Sequence, residues 1–174
     1  MTAKPFATCD LCDAHEEDTS GAFRVLAPMF RDFGLAARFS GPVATVRAIE
    51  DNSRVREAVN SPGFVDTPSG RVGRVLVVEG GGSLRRALVG GNLAAAAAKN
   101  GWAGIVVDGA VRDLAELQAA GIPVKALALM PLRSVKRGEG QRDIAIEIQG
   151  VPVRPGDWLY ADEDGIVVSA TPLL

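Results

Sequence analysis

Two short stretches of the sequence carry residue types that could recognise and activate a small acid. The first is Gly90-Gly91-Asn92-Leu93, which stands where an alanine-rich segment predicts the start of a helix. The first turn of a helix has N–H groups without intrahelical partners, and the helix dipole favours negative charge there. Two glycines at this point would let a ligand carboxylate approach the backbone closely. The stretch therefore predicts a binding site for a substrate carboxylate.

The second stretch supplies one cation and two acids. Arg112 can bind a carboxylate through two parallel hydrogen bonds. Asp113 and Glu116 are three residues apart, so on a helix they would share one face and suit a hard cation such as Mg²⁺. This stretch follows a predicted buried strand at 104–107, and α/β proteins commonly bind ligands at such carboxyl strand ends. Spacing alone still favours a plainer interpretation, in which Arg112 and Asp113 form a surface ion pair and Glu116 is solvated.

Other residues that could carry chemistry have simpler explanations. His15, the single histidine, lies among acidic residues on a predicted helix, so a surface position is favoured over a Ser-His-Asp triad. Cys9 and Cys12 form a C-x-x-C pair, but with His15 they are too few for a closed zinc site, and no thioredoxin-like pattern follows them. We expect two thiols, with Cys12 a small buried residue. The glycine loop at 80–83 follows a buried strand, as a nucleotide or S-adenosylmethionine site would, but it lacks the G-x-G-x-x-G pattern and a turn is favoured.

Composition limits the class of protein. The 174 residues fit one domain that is large enough to bury a core. A net charge of −2 and a pI of about 5.5 disfavour direct nucleic-acid binding, and Arg85-Arg86 and Lys136-Arg137 are the only adjacent basic pairs. The sequence has no run of 18 apolar residues and no signal-peptide-like N-terminus, so we expect no membrane span and a cytoplasmic location.

Hydrophobic patterning predicts a single α/β domain over residues 1–174, with its helices mostly in the first two thirds and a β-rich end. Helices are predicted at 10–18, with Thr8 as a possible cap, and at 52–59, 92–100 and 114–120. Strands are predicted at 42–49, 74–78, 104–107, 123–130, 143–149, 158–161 and 166–169. Residues 83–89 are ambiguous between strand and helix.

The stretch from residue 74 to residue 116, RVLVVEGGGSLRRALVGGNLAAAAAKNGWAGIVVDGAVRDLAE, closely resembles the RraA-like family. That family includes the metal-dependent class II 4-hydroxy-4-methyl-2-oxoglutarate aldolases. Residues 8–14, 50–52, 150–157 and 160–166 resemble further landmarks of the family. The aldolase pattern G-x20-R-D-x2-[E/D] is matched without a gap by Gly91, Arg112, Asp113 and Glu116.

The resemblance implies a fold and an activity. The implied fold is an α/β, ββα swivelling-type domain with a mixed sheet and flanking helices, assembled as a homotrimer with the active site at the subunit boundary. The implied activity is metal-dependent retro-aldol cleavage of 4-hydroxy-4-methyl-2-oxoglutarate, a 2-oxo acid, to pyruvate, with oxaloacetate decarboxylation through the same pyruvate enolate. Longer members draw an acidic group from a neighbouring subunit through a C-terminal extension, and a sequence that ends at Leu174 is expected to lack this contact.

The site residues receive roles from the same resemblance. Asp113 and Glu116 would hold a divalent cation, Mg²⁺ or Mn²⁺. Arg112 would bind the oxo-acid end of the substrate and act with Asp113 in catalysis, while the segment of Gly90, Gly91, Asn92 and Leu93 would bind a substrate carboxylate. Aldolases stabilise the enolate with either a metal or a Schiff-base lysine. Lys125, in an apolar predicted strand, stays open as the lysine alternative.

A second function is compatible with the sequence. Family members that regulate ribonuclease activity often lack the acid after the arginine, so Asp113 favours an enzyme. The alternative is a protein that inhibits an endoribonuclease by contact, without catalysis. An acidic pI permits this, because such a protein would bind the enzyme and not its RNA.

Overall fold

The computed structural model describes residues 5–36 and 38–174. Its helices are α1 (Thr8–Ala14), α2 (Ser53–Val59), α3 (Gly91–Lys99) and α4 (Leu114–Ala119). Its strands are β1 (Phe23–Val25), β2 (Arg31–Asp32), β3 (Phe39–Arg47), β4 (Phe64–Thr67), β5 (Gly70–Gly73), β6 (Val75–Glu79), β7 (Ala87–Val89), β8 (Gly104–Val111), β9 (Val124–Leu129), β10 (Gln141–Arg142), β11 (Ile146–Ile148), β12 (Val151–Val153), β13 (Trp158–Ala161) and β14 (Ile166–Ser169). None of the described helices is long and apolar enough to cross a membrane.

Most of the strands form one mixed sheet. The strand order is β1-β14-β13-β3-β6-β8-β9-β2, with β7 added to β8 and β10 added to β3. The strands β3, β6, β8 and β9 run parallel, and β7 runs parallel to β8. The outer strands pair antiparallel, and β4–β5 and β11–β12 form separate two-stranded sheets. The predicted α/β class, with a mixed sheet and flanking helices, is confirmed.

Strand β8 is the centre of the parallel region. All eight of its residues are buried. Along one edge, its first half pairs with β6 and its second half pairs with β7. The chain therefore leaves the sheet after β6 and returns as β7, which pairs with the same edge of β8 nearer to its carboxyl end. The end of β7 consequently lies beside the end of β8.

Two hydrophobic cores cover the two faces of the sheet, because successive side chains of a strand point to opposite faces. In β8, Ile105 and Val107 join the core that α2, α3 and α4 cover, whereas Val106 joins the core under β11 and β12. A smaller cluster packs Leu11 of α1 against Tyr160 of β13. The three helices α2, α3 and α4 consequently lie on the same face of the sheet.

Several predicted element boundaries were wrong. Helix α1 covers Thr8–Ala14 and not residues 10–18, and Thr8 lies inside it instead of capping it, because the Thr8 N–H and hydroxyl both donate to Asp162. The predicted strand 143–149 shortens to β11, since Asp143 and Gln149 both have a left-handed backbone conformation. Residues 83–89 contain a short strand, β7, and the prediction missed β1, β2, β4, β5, β10 and β12.

Candidate active site

A cavity of about 350 Å³ opens where the carboxyl ends of β3, β7, β8 and β9 meet. Its walls come from the segments that follow these four strands. The lining residues include Asn52, Arg56 and Asn60 after β3, Gly90, Asn92 and Leu93 after β7, Arg112 and Asp113 after β8, and Arg133, Ser134 and Lys136 after β9. The carboxyl edge of parallel strands is the usual ligand position in α/β folds. The structure thus brings residues 90–93 and the Arg112-Asp113 pair together.

Asp113 directs its carboxylate at the N-terminus of α3. Its backbone is left-handed, with a φ of 63°, at the position that precedes α4. Its Oδ2 accepts a hydrogen bond from the Gly91 N–H at 3.2 Å, and the Nε of Arg112 lies 3.6 Å from the same oxygen. A left-handed conformation is uncommon for a residue other than glycine and is found often at functional sites. The Asp113 side chain remains 35% exposed, so a ligand can reach it.

Glu116 approaches the same backbone from α4. Asp113 and Glu116 do not share a helix face as predicted, because Asp113 precedes the helix and Glu116 lies in its first turn. The two acids nevertheless converge on Gly91, since a Cβ added there would overlap the Glu116 side chain. A Cβ added at Gly90 would likewise overlap the Asp113 carboxylate. Both glycines are therefore needed to accommodate the acids of the site itself.

The anion site predicted at the start of α3 is partly occupied by the protein. The Gly91 N–H already donates to Asp113, whereas the N–H groups of Asn92 and Leu93 have no hydrogen-bond partner among the described residues. Two backbone donors therefore remain for a ligand carboxylate.

The pair Asp113 and Glu116 fits a hard divalent cation with an incomplete protein shell. Mg²⁺ usually keeps several waters and takes one or two carboxylates, with substrate oxygens as further ligands. The described residues contain no group of three or more His, Cys, Asp or Glu side chains that could hold a metal ion by themselves. The two exposed carboxylates near Gly91 equal the one or two carboxylate ligands that Mg²⁺ usually takes from a protein.

The wall after β9 is fixed to its neighbours by backbone hydrogen bonds. The Ser134 N–H donates to the Ala87 carbonyl of β7 at 3.1 Å. The Val135 N–H donates to the Glu50 carbonyl, just before α2, at 3.0 Å. The segment is thus joined on one side to the strand that leads to Gly90 and on the other side to the segment that leads to α2.

The buried carboxylate of Asp51 adds further hydrogen bonds between the segment after β9 and the start of α2. It accepts hydrogen bonds from the N–H groups of Ser53 at 2.8 Å, Arg137 at 2.6 Å and Glu139 at 3.4 Å. Burial alone would raise the pKa of Asp51, but these hydrogen bonds outweigh it and lower the pKa below its ordinary value. An ionised Asp51 therefore joins the start of α2 to the segment after β9, and both of these line the cavity.

Other residues with possible chemistry lie outside the cavity. The His15 Nδ1 is 2.8 Å from the Leu11 carbonyl, and its ring stacks on Phe23. The Lys125 ammonium is buried and lies 3.0 Å from the Asp32 carboxylate, so the Schiff-base alternative has no support from its position. Cys9 and Cys12 are free thiols, and Cys12 is half-buried.

The glycine loop after β6 is a tight turn. Gly81 and Gly82 have φ values of 65° and 69°, which favour glycine. The Gly82 N–H donates to the Asp108 carbonyl at 3.1 Å, and the Ser83 hydroxyl donates to Glu50 at 2.9 Å. These internal hydrogen bonds explain the glycines without a nucleotide.

Sequence reasoning missed three cations of the cavity wall, Arg56, Arg133 and Lys136. No motif spacing distinguishes them from other surface charges. The signal that could have found them is topological, since Arg56 follows β3 and the other two follow β9, both parallel strands of the central sheet.

The fold and the cavity define a mixed α/β protein whose polar site lies at the carboxyl edge of its parallel strands. The family model described as RraA-like (Aldolase/RraA) matches residues 8–168, and the chain belongs to this family.

Relatives with nearly the same length share one name. A protein of Albidiferax ferrireducens is 68% identical over 169 residues, covering 97% of this chain and 98% of the relative. One of Burkholderia multivorans is 56% identical over 169 residues, with the same coverage of 97% and 98%. Both are provisionally named as 4-hydroxy-4-methyl-2-oxoglutarate aldolases.

Two solved structures are similar throughout. The RNA-processing inhibitor RraA from Thermus thermophilis is 44% identical with a TM-score of 0.86, covering 98% of this chain and 96% of that one. A Geobacillus kaustophilus structure described as S-adenosylmethionine:2-dimethylmenaquinone methyltransferase is 41% identical with a TM-score of 0.84, covering 97% of each chain. The fold is thus shared by two solved structures that carry different functional names.

Proposed function

We propose that this protein is a divalent-metal-dependent lyase that cleaves 4-hydroxy-4-methyl-2-oxoglutarate to two molecules of pyruvate and also decarboxylates oxaloacetate. The observation that carries the proposal is the convergence on Gly91. The Asp113 carboxylate and the Glu116 side chain both approach Gly91, and Asp113 lines the adjacent cavity together with the Arg112 guanidinium. The name shared by the relatives supports the aldol cleavage within this proposal.

In this proposal the 2-oxo acid end of the substrate lies between Arg112 and the start of α3. Arg112 pairs with the oxo-acid oxygens, and the N–H groups of Asn92 and Leu93 donate to a carboxylate. Asp113 and Glu116 hold Mg²⁺ or Mn²⁺, which when bound acts as a Lewis acid toward the 2-oxo group.

The bond changes place negative charge next to Arg112. The 4-hydroxyl group loses its proton to water, the C3–C4 bond breaks, and its electron pair forms the enolate of the first pyruvate. C4 becomes the ketone carbon of the second pyruvate, and protonation at C3 completes the first. Oxaloacetate reaches the same enolate when its C3–C4 bond breaks and C4 leaves as carbon dioxide. The Arg112 guanidinium stabilises the enolate oxygen in both reactions.

The test is pyruvate formation by the purified protein from each substrate, followed with lactate dehydrogenase and NADH. We expect pyruvate from both substrates with Mg²⁺ or Mn²⁺, and loss of the activity in excess EDTA. Full activity in EDTA would contradict the metal requirement. No pyruvate from either substrate with either metal would contradict the lyase proposal itself.

We also propose a cytoplasmic homotrimer with the site at the subunit boundary. The free thiols of Cys9 and Cys12 fit a reducing compartment. Exposed apolar side chains beside the Gly81–Gly82 turn, among them Met29 and Leu84, offer a surface that a second copy can cover.

A second candidate function is inhibition of an endoribonuclease by protein contact. The observation that favours it is the 44% identity and TM-score of 0.86 to the Thermus thermophilis RNA-processing inhibitor. Contact inhibition has no need of the Asp113 carboxylate. An Asp113→Asn protein that loses pyruvate formation and still inhibits ribonuclease cleavage would separate the two functions.

A further inference from the structure

Two of the segments that line the candidate cavity carry three cations that have no carboxylate partner among the described residues. Arg56 of α2 and Arg133 and Lys136 of the segment after β9 line the cavity. Within residues 5–36 and 38–174, none of the three forms an ion pair. Arg112, by contrast, lies 3.6 Å from Asp113. The cavity therefore has one region whose cation is partnered and one region whose cations are not.

This distribution differs from the charge of the chain as a whole. The net charge is −2, yet four of the residues that line the cavity are cationic and only Asp113 is anionic. Like charges that share a cavity destabilise one another, and such a field attracts an anion. Because the unpartnered cations come from two separate segments, an anion between them would contact both walls.

The two segments are held in fixed positions. The segment with Arg133 and Lys136 is bonded through Ser134 to β7 and through Val135 to Glu50. Asp51 adds hydrogen bonds from the N–H groups of Ser53 and Arg137. These contacts preorganise the backbone of the two segments, so positioning it costs little entropy when a ligand binds, while the exposed side chains of Arg56, Arg133 and Lys136 line the cavity.

We infer that Arg56, Arg133 and Lys136 bind a second carboxylate, at the end of the substrate opposite the 2-oxo acid. The inference rests on the proposed function, in which Arg112 and the start of α3 take the oxo-acid end. The cavity volume of about 350 Å³ is small, near the lower limit of roughly 300 Å³ for small-molecule sites, and suits one short dicarboxylic acid. Lys136 is then a specificity-determining residue, which selects substrates whose leaving half carries a carboxylate.

The test compares two substrates that differ only in this group. 4-Hydroxy-4-methyl-2-oxoglutarate carries the distal carboxylate, and 4-hydroxy-4-methyl-2-oxopentanoate has a methyl group in its place. We measure kcat/KM for both substrates with wild type and with Lys136→Met. For each protein, kcat/KM for the dicarboxylate divided by kcat/KM for the monocarboxylate gives its preference for the dicarboxylate. Losing one charge-assisted hydrogen bond should lower this ratio about tenfold or more. Arg56→Met and Arg133→Met should lower it as well.

Arg137→Met is the matched control, since it removes a neighbouring exposed charge whose side chain does not line the cavity. Its ratio should equal that of wild type, and thermal melting should show that all variants are folded. A wild-type ratio in the folded Lys136, Arg56 and Arg133 variants would overturn the inference, and so would a wild type that cleaves both substrates equally well. Failure of the proposed function would look different, because wild type would then release pyruvate from neither substrate.

Discussion

Arg112 occupies a position that needs a planar, forked cation. Its Nε lies 3.6 Å from Asp113, and its Nη1 donates to the Pro131 carbonyl at 3.4 Å. The guanidinium can keep its hydrogen bond to the Pro131 carbonyl while its remaining N–H groups donate to two substrate oxygens. A lysine ammonium is a point charge and cannot maintain this geometry.

We therefore expect Arg112→Lys to lower kcat/KM for 4-hydroxy-4-methyl-2-oxoglutarate by roughly 10²-fold or more, from the ~2.7–4 kcal/mol typical of losing one oriented transition-state donor. Steady-state kinetics with coupled pyruvate detection measures this. Arg71→Lys, on the exposed β4–β5 hairpin, is the control and should behave as wild type. A near-wild-type Arg112→Lys protein would place Arg112 away from the reacting carbons.

At the residue scale, the sequence predicted the part of the candidate site that belongs to one motif of fixed spacing. Gly91, Arg112, Asp113 and Glu116 have a fixed spacing, and the structure brings them together. What spacing could not supply was the left-handed backbone of Asp113, which directs its side chain to the helix start instead of along α4. In this conformation the Asp113 carboxylate accepts the hydrogen bond from the Gly91 N–H, which lies 22 residues away in the sequence.

At the scale of elements, the start of α3 and the start of α4 form one unit. Helix α3 has no room for a Cβ at residue 91, because Glu116 of α4 lies there. The glycine does more than expose backbone N–H groups, since it also fixes how closely the two helices approach. A side chain at this position must displace Glu116.

Gly91→Val should accordingly weaken binding of oxalate, a small dicarboxylate that mimics the enolate. The added side chain displaces Glu116 and obstructs the neighbouring N–H groups, so we expect at least about a tenfold rise in Kd for loss of a charge-assisted contact. Calorimetric titration measures the affinity, with thermal melting to monitor folding. Gly165→Ala is the control, because a Cβ there meets open space. Unchanged oxalate affinity in a folded Gly91→Val protein would remove the start of α3 from the site.

Helix α1 is attached through the buried carboxylate of Asp162. Burial would raise the pKa of Asp162, but hydrogen bonds from Thr8, Asp164 and Gly165 outweigh it and lower the pKa below its ordinary value. Because the folded protein favours the ionised form, Asp162 stabilises the fold above the unfolded pKa of about 3.9. That contribution is lost as the pH falls through the lower, folded pKa.

Asp162→Asn should therefore lower the free energy of unfolding at pH 7 by about 1.5–3 kcal/mol, the usual worth of hydrogen bonds to a charged group. It should also reduce the loss of stability between neutral pH and pH 3. Urea unfolding at several pH values measures both effects. Asp66→Asn, on the exposed hairpin, should leave the stability near that of wild type. An Asp162→Asn protein with the wild-type pH dependence would show that this anchor does not depend on charge.

The elements themselves were predictable where local composition decides them. The run of five alanines specified α3, and apolar runs specified β6 and β8. Strand β8 is longer than predicted because Asp108, which resembles the start of a turn, is buried and accepts a hydrogen bond from Gln149 at 2.6 Å. The short strands β1, β2 and β10 exist only through distant partners, so no local pattern could indicate them.

At the scale of the whole molecule, an apolar surface surrounds the Gly81–Gly82 turn. Met29 and Leu84 are exposed beside this turn, and Ile49 lies close to Gly81. Clustered exposed apolar side chains typically mark an interaction surface. We expect a second copy of this chain to cover it in the proposed trimer.

Light scattering should thus give a trimer mass at micromolar concentration. Leu84→Glu would place a charge in the interface and should shift the mass toward the monomer, because burying an unpaired carboxylate is costly. Wild-type protein that is folded and monomeric at this concentration would contradict the assembly. A trimeric Leu84→Glu protein would move the interface to another surface.

The whole cavity became visible only with the topology. Its walls follow four parallel strands, and strand order in a sheet is a long-range property that residue spacing does not contain. The cations Arg56, Arg133 and Lys136 belong to this part of the site. The sequence therefore located the residues proposed for chemistry, and the fold added those proposed for selectivity.

A magnesium titration distinguishes whether cleavage requires a divalent cation held at Asp113. Metal-free wild type and Asp113→Asn are titrated with Mg²⁺ while pyruvate release from 4-hydroxy-4-methyl-2-oxoglutarate is followed. Asparagine tolerates the left-handed backbone at residue 113, so the variant should fold, which thermal melting verifies. We expect saturable activation of wild type and no activation of Asp113→Asn. Activity of wild type without metal, or activation of Asp113→Asn to the wild-type level, would contradict a requirement for a cation at Asp113.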